Sequence, residues 1–105
     1  MTDLSALAAE HLAAATASPR GRSALLVTND GPLRQSVIAL RGGEQIAEHN
    51  APAAATLQVL LGTVRLTGGP QDLELTAGSL APVPHARHGV DAVTDAVVLL
   101  TTVSA

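Results

Sequence analysis

The sequence contains no phenylalanine, tyrosine or tryptophan. Proteins that bind single-stranded nucleic acids or enclose organic cations stack aromatic side chains on their ligands, so the composition excludes both classes. Lysine is also absent: all six basic residues are arginines scattered along the chain, and the net charge is -3. A surface that follows phosphates must be basic, so we expect no nucleic-acid partner.

Cysteine is missing as well, which excludes a disulfide framework, a thiolate zinc site and a cysteine nucleophile. The chain has no apolar run of the roughly 18 residues that a membrane span needs. Its N-terminus carries Asp3, Glu10 and His11 without a preceding basic stretch, which is not the pattern of an export signal. We therefore expect a soluble, cytoplasmic protein with no membrane partner.

The alanine-rich segment 3–17 predicts a helix. Thr2 or Asp3 can cap its N-terminus, and Ser18-Pro19 ends it. One face of this helix carries a largely apolar stripe: Leu4, Leu7, His11 and Leu12. Such a stripe docks on the rest of the domain or on a second subunit, so we expect His11 to be packed or half-buried.

From residue 24 the pattern changes to short β-like runs separated by turn residues. The runs cover residues 24–28, 34–41, 44–49, 56–67 with an interruption at Gly62, 72–76, 90–93 and 96–103. Strands at this regular spacing predict a sandwich or barrel. We accordingly divide the chain into an N-terminal helix and linker, residues 1–22, and a β-barrel domain, residues 23–105.

Two motifs flank a strand–turn–strand unit in the second half of the chain. The first is GEQIAEHNAPAAATLQVLLG, which contains Gly43, His49 and Gly62. The second is GSLAPVPHARHGV, which contains Gly78, Pro84 and His88. In this order and spacing they resemble the two signatures of the small single-domain cupins, over about residues 34–103. The resemblance implies an all-β, cupin-type jelly-roll barrel (a double-stranded β-helix) preceded by the helix, and a homodimer.

In metal-dependent cupins four ligands come from these two signatures. The resemblance places His49 on the first ligand position and His88 on the last, whereas Ala51 and Ala55 occupy the other two. A methyl group cannot coordinate a metal, so we interpret the motif as a degenerate metal site. His85 is the candidate third ligand, although a histidine that follows a proline in a surface loop usually faces solvent.

These residues leave three hypotheses open. The leading one is a pocket that binds a small apolar or amphipathic molecule without a metal or other cofactor, and without catalysis. Its predicted lining is His49, His88, Leu57, Val59, Leu61 and Val90. The first alternative is a metal-dependent enzyme, of dioxygenase or isomerase type, that uses His49 and His88. The second alternative is a structural or interaction module that acts through the N-terminal helix.

Overall fold

The computed structural model describes residues 1–49 and 53–104, and only the backbone of residues 48 and 49. Helix α1 is Leu4–Ala17. The described strands are β1 Arg22–Asp30, β2 Leu33–Leu40, β3 Gln45–His49, β4 Ala54–Leu61, β5 Thr63–Thr67, β6 Leu73–Thr76, β7 Leu80–Pro82, β8 His88–Ala92 and β9 Ala96–Val103. β1 therefore begins at Arg22, inside the segment that the sequence assigned to the linker.

The strands form two antiparallel sheets that pack face to face. The five-stranded sheet has the order β1-β2-β9-β4-β7, and the four-stranded sheet has the order β3-β8-β5-β6. Both are open sheets with two edges each, so the barrel is not closed. This mostly β architecture with one N-terminal helix is the jelly-roll arrangement that the sequence predicts.

Gly62 divides the predicted long strand 56–67 into β4 and β5, which belong to different sheets. Its φ of +76° lies in the left-handed region, and a Cβ at this position would collide with the carbonyl oxygen of Asp95. Glycine has no Cβ, so it accepts both the backbone conformation and the close approach. The chain can therefore turn from one sheet into the other at this residue.

The space between the sheets is filled by aliphatic side chains from both layers. Its buried members are Ile38, Leu40, Leu57, Val59, Val64, Leu66, Ala81, Val83, Val90, Ala92, Ala96 and Val98. On β5 and β8 these residues alternate with outward-facing polar or glycine positions, as expected for strands with one buried face. Burial of this aliphatic layer supplies the main driving force that holds the sheets together.

Helix α1 covers the outer face of the five-stranded sheet. Its buried residues are alanines, Ala8 and Ala15, while Leu4, Leu7 and Leu12 pack at the margins of the contact. Small side chains allow the helix to approach the sheet closely. At the N-terminus, the carboxylate of Asp3 accepts a hydrogen bond from the backbone N–H of Ala6 at 3.1 Å, the arrangement of a helix cap.

His11 is half-buried on this helix, as predicted, and its Nδ1 lies 2.7 Å from the hydroxyl oxygen of Ser23 on β1. The hydrogen bond ties the middle of the helix to the first strand. The structure adds one strand that the sequence did not predict, β7, whose three residues are too few to show an alternating pattern. The described part of the chain contains no helix with the length and apolarity to cross a bilayer.

Candidate functional site

The end of β3 lies beside the beginning of β8, and a β-bulge sets the register there. Ile46 pairs with Val90, but the next pair is His49 with His88, so β3 has one more residue than β8 over this interval. Without the extra residue Glu48 would lie opposite His88. Opposed residues of an antiparallel pair share one face of the sheet, so the bulge restores the alignment of the two histidine positions.

His88 is the only polar residue among the fully buried side chains of residues 1–47 and 53–104, with 2% of its surface exposed. Its Nδ1 lies 3.0 Å from the carbonyl oxygen of Ala86. A carbonyl oxygen can only accept, so Nδ1 carries the proton in this hydrogen bond, and in the neutral ring Nε2 then bears the lone pair. The backbone thus selects one tautomer and fixes the orientation of the imidazole.

Gly68, in the turn that follows β5, lies directly against His88. Its φ is +104°, and a Cβ there would collide with the carbonyl oxygen of Arg87 and lie 2.7 Å from the Cα of His88. The turn after β5 can pack directly on the first residue of β8 only because position 68 has no side chain. The sequence predicts turn residues between the runs that end at 67 and begin at 72, but it does not predict this contact, which depends on a residue 20 positions away in the chain.

Apolar residues surround this end of the space between the sheets. Val90 follows His88 on the same inward face of β8 and is buried. Ala55, one of the two alanines at ligand positions, packs against the central aliphatic layer, and its carbonyl accepts a hydrogen bond of 2.9 Å from the N–H of Val83. The inward face of β8 therefore combines one oriented imidazole with the aliphatic side chain of Val90, which belongs to the interior layer.

Leu57 and Val59 lie in the interior layer with Val90, as the alternation on β4 predicted. Leu61 departs from that alternation, because a bulge between Val59 and Leu61 shifts it opposite Val97. It is 37% exposed and borders a small cavity of about 120 Å³ beside Leu4 of the helix. The bulge has thus moved Leu61 to the helix side of the sheet, away from the predicted lining.

The remaining candidates for a metal shell lie elsewhere or outside the described residues. His85 is exposed, as a solvent-facing loop histidine should be. Gln58, which also carries a donor oxygen and follows the third ligand position by three residues, pairs with Leu99 on the side of the sheet that faces the helix. Ala51 and the neighbouring Asn50 lie outside the described residues, as does the side chain of His49. Within residues 1–47 and 53–104, no three histidine or carboxylate side chains converge to hold a metal.

A second cavity, of about 360 Å³, lies against the four-stranded sheet, and His88 is not among its described lining residues. Its lining includes Gln45, Thr67, Gly89 and Asp91, which alternate along their strands with the inward-facing residues, and extends to Ile46, Gly68 and Asp72. The sequence offered no signal for this concavity, because it depends on how three strands and one turn meet.

Comparison with known proteins shows likeness at the level of structure. No protein-family model and no curated protein sequence matches the chain. A conserved protein of unknown function from Streptococcus pyogenes superposes with a TM-score of 0.76 and 21% identity, over 84% of this chain and 78% of that one. An RmlC-like cupin from Desulfovibrio desulfuricans superposes with a TM-score of 0.67 and 25% identity, over 76% of this chain and 79% of that one.

An enzyme is also among the similar structures. Salicylate 1,2-dioxygenase from Pseudoaminobacter salicylatoxidans, in complex with gentisate, superposes with a TM-score of 0.69 and 22% identity. The match covers 81% of this chain but 25% of the dioxygenase. Together with the two-sheet architecture, these likenesses show that the chain has the cupin fold.

Proposed function

We propose that this small cupin binds a small apolar or amphipathic molecule at the end of the sandwich where His49 and His88 are register partners, without a tightly held metal. One observation carries the proposal: the imidazole of His88 is buried and oriented by the Ala86 carbonyl, and Val90, the next residue on the same face of β8, belongs to the interior aliphatic layer. Ligand sites commonly combine such an apolar lining with a few fixed polar groups.

The chemistry of the site follows from this combination. The protonated Nδ1 of His88 is engaged with the backbone, so Nε2 is the nitrogen with the lone pair that can accept a hydrogen bond from a hydroxyl or amine. Aliphatic residues of the interior layer, such as Ala55 and Val83, favour the apolar part of a ligand, at roughly 25 cal/mol for each Å² of apolar surface removed from water. An amphipathic molecule with one polar head can donate a hydrogen bond to the imidazole and place its apolar part against the aliphatic residues.

The test is an NMR titration of the isotope-labelled full chain with two probes, octanoate and 8-anilinonaphthalene-1-sulfonate. We expect saturable binding of one probe per chain, with the largest amide shifts at Ala55, Val83 and His88. Fluorescence of the sulfonate probe gives an independent readout, since the protein contributes no aromatic emission.

The matched variants are His88→Ala and His85→Ala, which remove a buried and an exposed histidine three residues apart. We expect His88→Ala to weaken probe binding about tenfold, the value of one hydrogen bond in a dry site, and His85→Ala to leave it unchanged. Binding that is absent, that maps outside this end of the sandwich, or that responds equally to both variants would contradict the proposal.

A metal-dependent enzyme of dioxygenase or isomerase type is the second candidate, and the hydrogen bond of His88 favours it. Metal-ligating histidines usually donate their second ring N–H to a carbonyl or carboxylate, as His88 does to Ala86. The rest of the donor set does not fit: Ala55 stands at a ligand position and His85 is exposed. The described residues therefore supply too few donors for a metal shell.

Metal content separates these two candidates. The untagged protein would be incubated with Mn²⁺, Fe²⁺, Ni²⁺ or Zn²⁺, dialysed and assayed by elemental analysis. We expect far less than one metal ion per chain. Retention of about one ion per chain, lost in both His49→Ala and His88→Ala but kept in His11→Ala, would replace the proposal by the enzyme.

The interaction module has less support from the contacts of the helix. Ala8 and Ala15 are buried against the chain's own sheet, and Leu4, Leu7 and Leu12 pack at the margins of the same contact. The apolar side of the helix therefore already has an intramolecular partner.

A further inference from the structure

One end of the sandwich contains the ends of strands from both sheets. β7 ends at Pro82 beside the start of β4, and residues 83–87 then lead to His88, the first residue of β8. In this connection the backbone N–H of Val83 donates to the carbonyl of Ala55, near the start of β4. The beginnings of β4 and β8 therefore lie at the same end, which is the end where the ligand site is proposed.

The register of the five-stranded sheet brings an arginine to the inner face of this end. Arg34 on β2 lies opposite Thr102 on β9, and Thr102 lies opposite Ala55 on β4. β2 pairs with β9 without a bulge, so Arg34 shares a face with Ile38, a buried residue of the interior layer. Arg34 is half-buried and lies two strands from Ala55, which corresponds to roughly 10 Å between their backbones.

The polar residues on the opposite face of these strand ends bind one another. The hydroxyl of Thr28 donates to Oε1 of Gln35 at 2.8 Å, and Nε2 of Gln35 donates to the hydroxyl oxygen of Thr101 at 3.1 Å. These bonds tie β1, β2 and β9 together on the helix side of the sheet. In the described part of the chain, neither Arg34 nor Thr102 on the inner face takes part in such a pair of side chains, so stability does not account for the inner residues in the same way.

The positive charge of Arg34 is held at the rim by neutral partners. Its Nη1 donates to the backbone carbonyls of Gly31 and Leu33, in and beside the turn between β1 and β2. The ion pairs among the described residues involve Arg41 and Arg65 instead. Both hydrogen bonds of Arg34 use Nη1, which leaves Nε and Nη2 as the edge of the guanidinium group that can bind the two oxygens of a carboxylate.

The surface between Arg34 and the interior of the sandwich is largely aliphatic. The next inward register row contains Ser36, Leu100 and Leu57, and both leucines pack in the interior layer. A molecule with its anionic group at the rim could therefore place an apolar part over Leu100, towards Ala55. Its charged group would stay partly in water, which keeps the cost of its desolvation low.

We propose that Arg34 makes this site selective for carboxylates, so that the ligand is an amphipathic carboxylate whose charged group is bound at the rim by Arg34. The inference rests on the ligand site proposed above and names the chemical class of its ligand. One arginine balances one negative charge, and its planar fork matches the geometry of a carboxylate. A hydroxyl or amine elsewhere on the same ligand remains available to His88.

Three probes with the same eight-carbon chain test the selectivity: octanoate, 1-octanol and octylammonium. Each would be titrated into the isotope-labelled full chain at low salt and followed by NMR. We expect octanoate to bind about tenfold more tightly than 1-octanol, and octylammonium to bind most weakly. The amides of Arg34 and Thr102 should shift with octanoate and not with 1-octanol. Added salt should reduce the advantage of octanoate, because the rim is partly exposed.

The matched variants are Arg34→Gln and Arg65→Gln, which remove the same charge from different sheets. We expect Arg34→Gln to weaken octanoate binding about tenfold and to leave 1-octanol unchanged. Arg65 is exposed on the outer face of the four-stranded sheet, so Arg65→Gln should change neither affinity. Arg34→Lys keeps the charge without the planar fork and should give an intermediate affinity. It also serves if circular dichroism shows that Arg34→Gln fails to fold.

The outcomes separate this inference from the proposed ligand site. Equal affinities of the wild-type protein for octanoate and 1-octanol, or equal effects of Arg34→Gln and Arg65→Gln on octanoate, would overturn the selectivity while the ligand site stands. Failure of all three probes to bind would overturn the ligand site and the selectivity together.

Discussion

The two sheets differ in what covers their outer faces. On the five-stranded sheet, Val37, Ala39, Val97 and Leu99 face the helix and are buried. On the four-stranded sheet, the corresponding outward positions include Arg65, Thr67 and Asp91, which are polar and at least partly accessible. The central strands β2 and β9 of the first sheet are thus covered on both faces, whereas the second sheet is covered on one.

The strands record this difference in their sequences. Residues 37–40 of β2 and 96–99 of β9 are continuous apolar runs, as expected for strands that are covered on both faces. β5 alternates between buried and accessible residues, the pattern of a strand with one solvated face. In β2 and β9 the buried apolar run therefore coincides with a third layer over the strand, which is helix α1.

The largest effect should come from placing a charge beneath the helix. Val97 is fully buried between β9 and α1, so Val97→Asp leaves a carboxylate without water or a partner. We expect a loss of about 3–4 kcal/mol in the free energy of unfolding. Urea unfolding followed by far-ultraviolet circular dichroism measures it, since the chain has no aromatic residue for fluorescence.

Thr76→Asp is the matched change on the other sheet. Thr76 is exposed and pairs with Thr63 at the edge of the four-stranded sheet. We expect this variant to lose less than about 1 kcal/mol in the free energy of unfolding. Equal losses for Val97→Asp and Thr76→Asp would show that the two faces are not covered differently.

Much of the fold could be predicted from local sequence patterns. Strand 96–103, the helix and its end near Ser18 follow from apolar runs, alanine content and capping residues. The assignment of residues 56–61 and 63–67 to different sheets could not be predicted from local patterns, because it depends on a contact between residues distant in the sequence. Gly62 signals an interruption in the sequence, but only its approach to Asp95 shows that the chain changes sheet there.

Gly62 connects β4, which is covered on both faces, to β5, which is covered on one. The variant Gly62→Ala therefore tests the turn between the two sheets. The added Cβ would meet the Asp95 carbonyl in a left-handed backbone conformation. We expect the free energy of unfolding to fall by about 3 kcal/mol. The control is Gly43→Ala, which has a similar φ of +92° but nothing within 4 Å of the added atom, and should lose about 1 kcal/mol. If Gly62→Ala lowered the free energy of unfolding only slightly, the backbone between β4 and β5 would be able to move and accommodate the added Cβ.

The candidate site was predictable only in part. The two motifs identified His49 and His88 as a pair, and their positions are register partners. The bulge that aligns them and the approach of Gly68 both depend on pairing with strands distant in sequence. The bulge that displaces Leu61 likewise belongs to the pairing of β4 with β9. Parity along a strand predicts a face only until the first bulge.

The smallest loss of stability should come from a change in how closely helix α1 lies on the five-stranded sheet. Ala15 is fully buried at that contact, whereas its neighbour Ala14 is exposed. Ala15→Leu must push the helix away or distort Val37 and Val97 beneath it, so we expect a loss of about 2 kcal/mol. Ala14→Leu should change stability by less than about 0.5 kcal/mol. If both variants were neutral in urea unfolding, the helix would be loosely docked, and the apolar runs of β2 and β9 would need another cover.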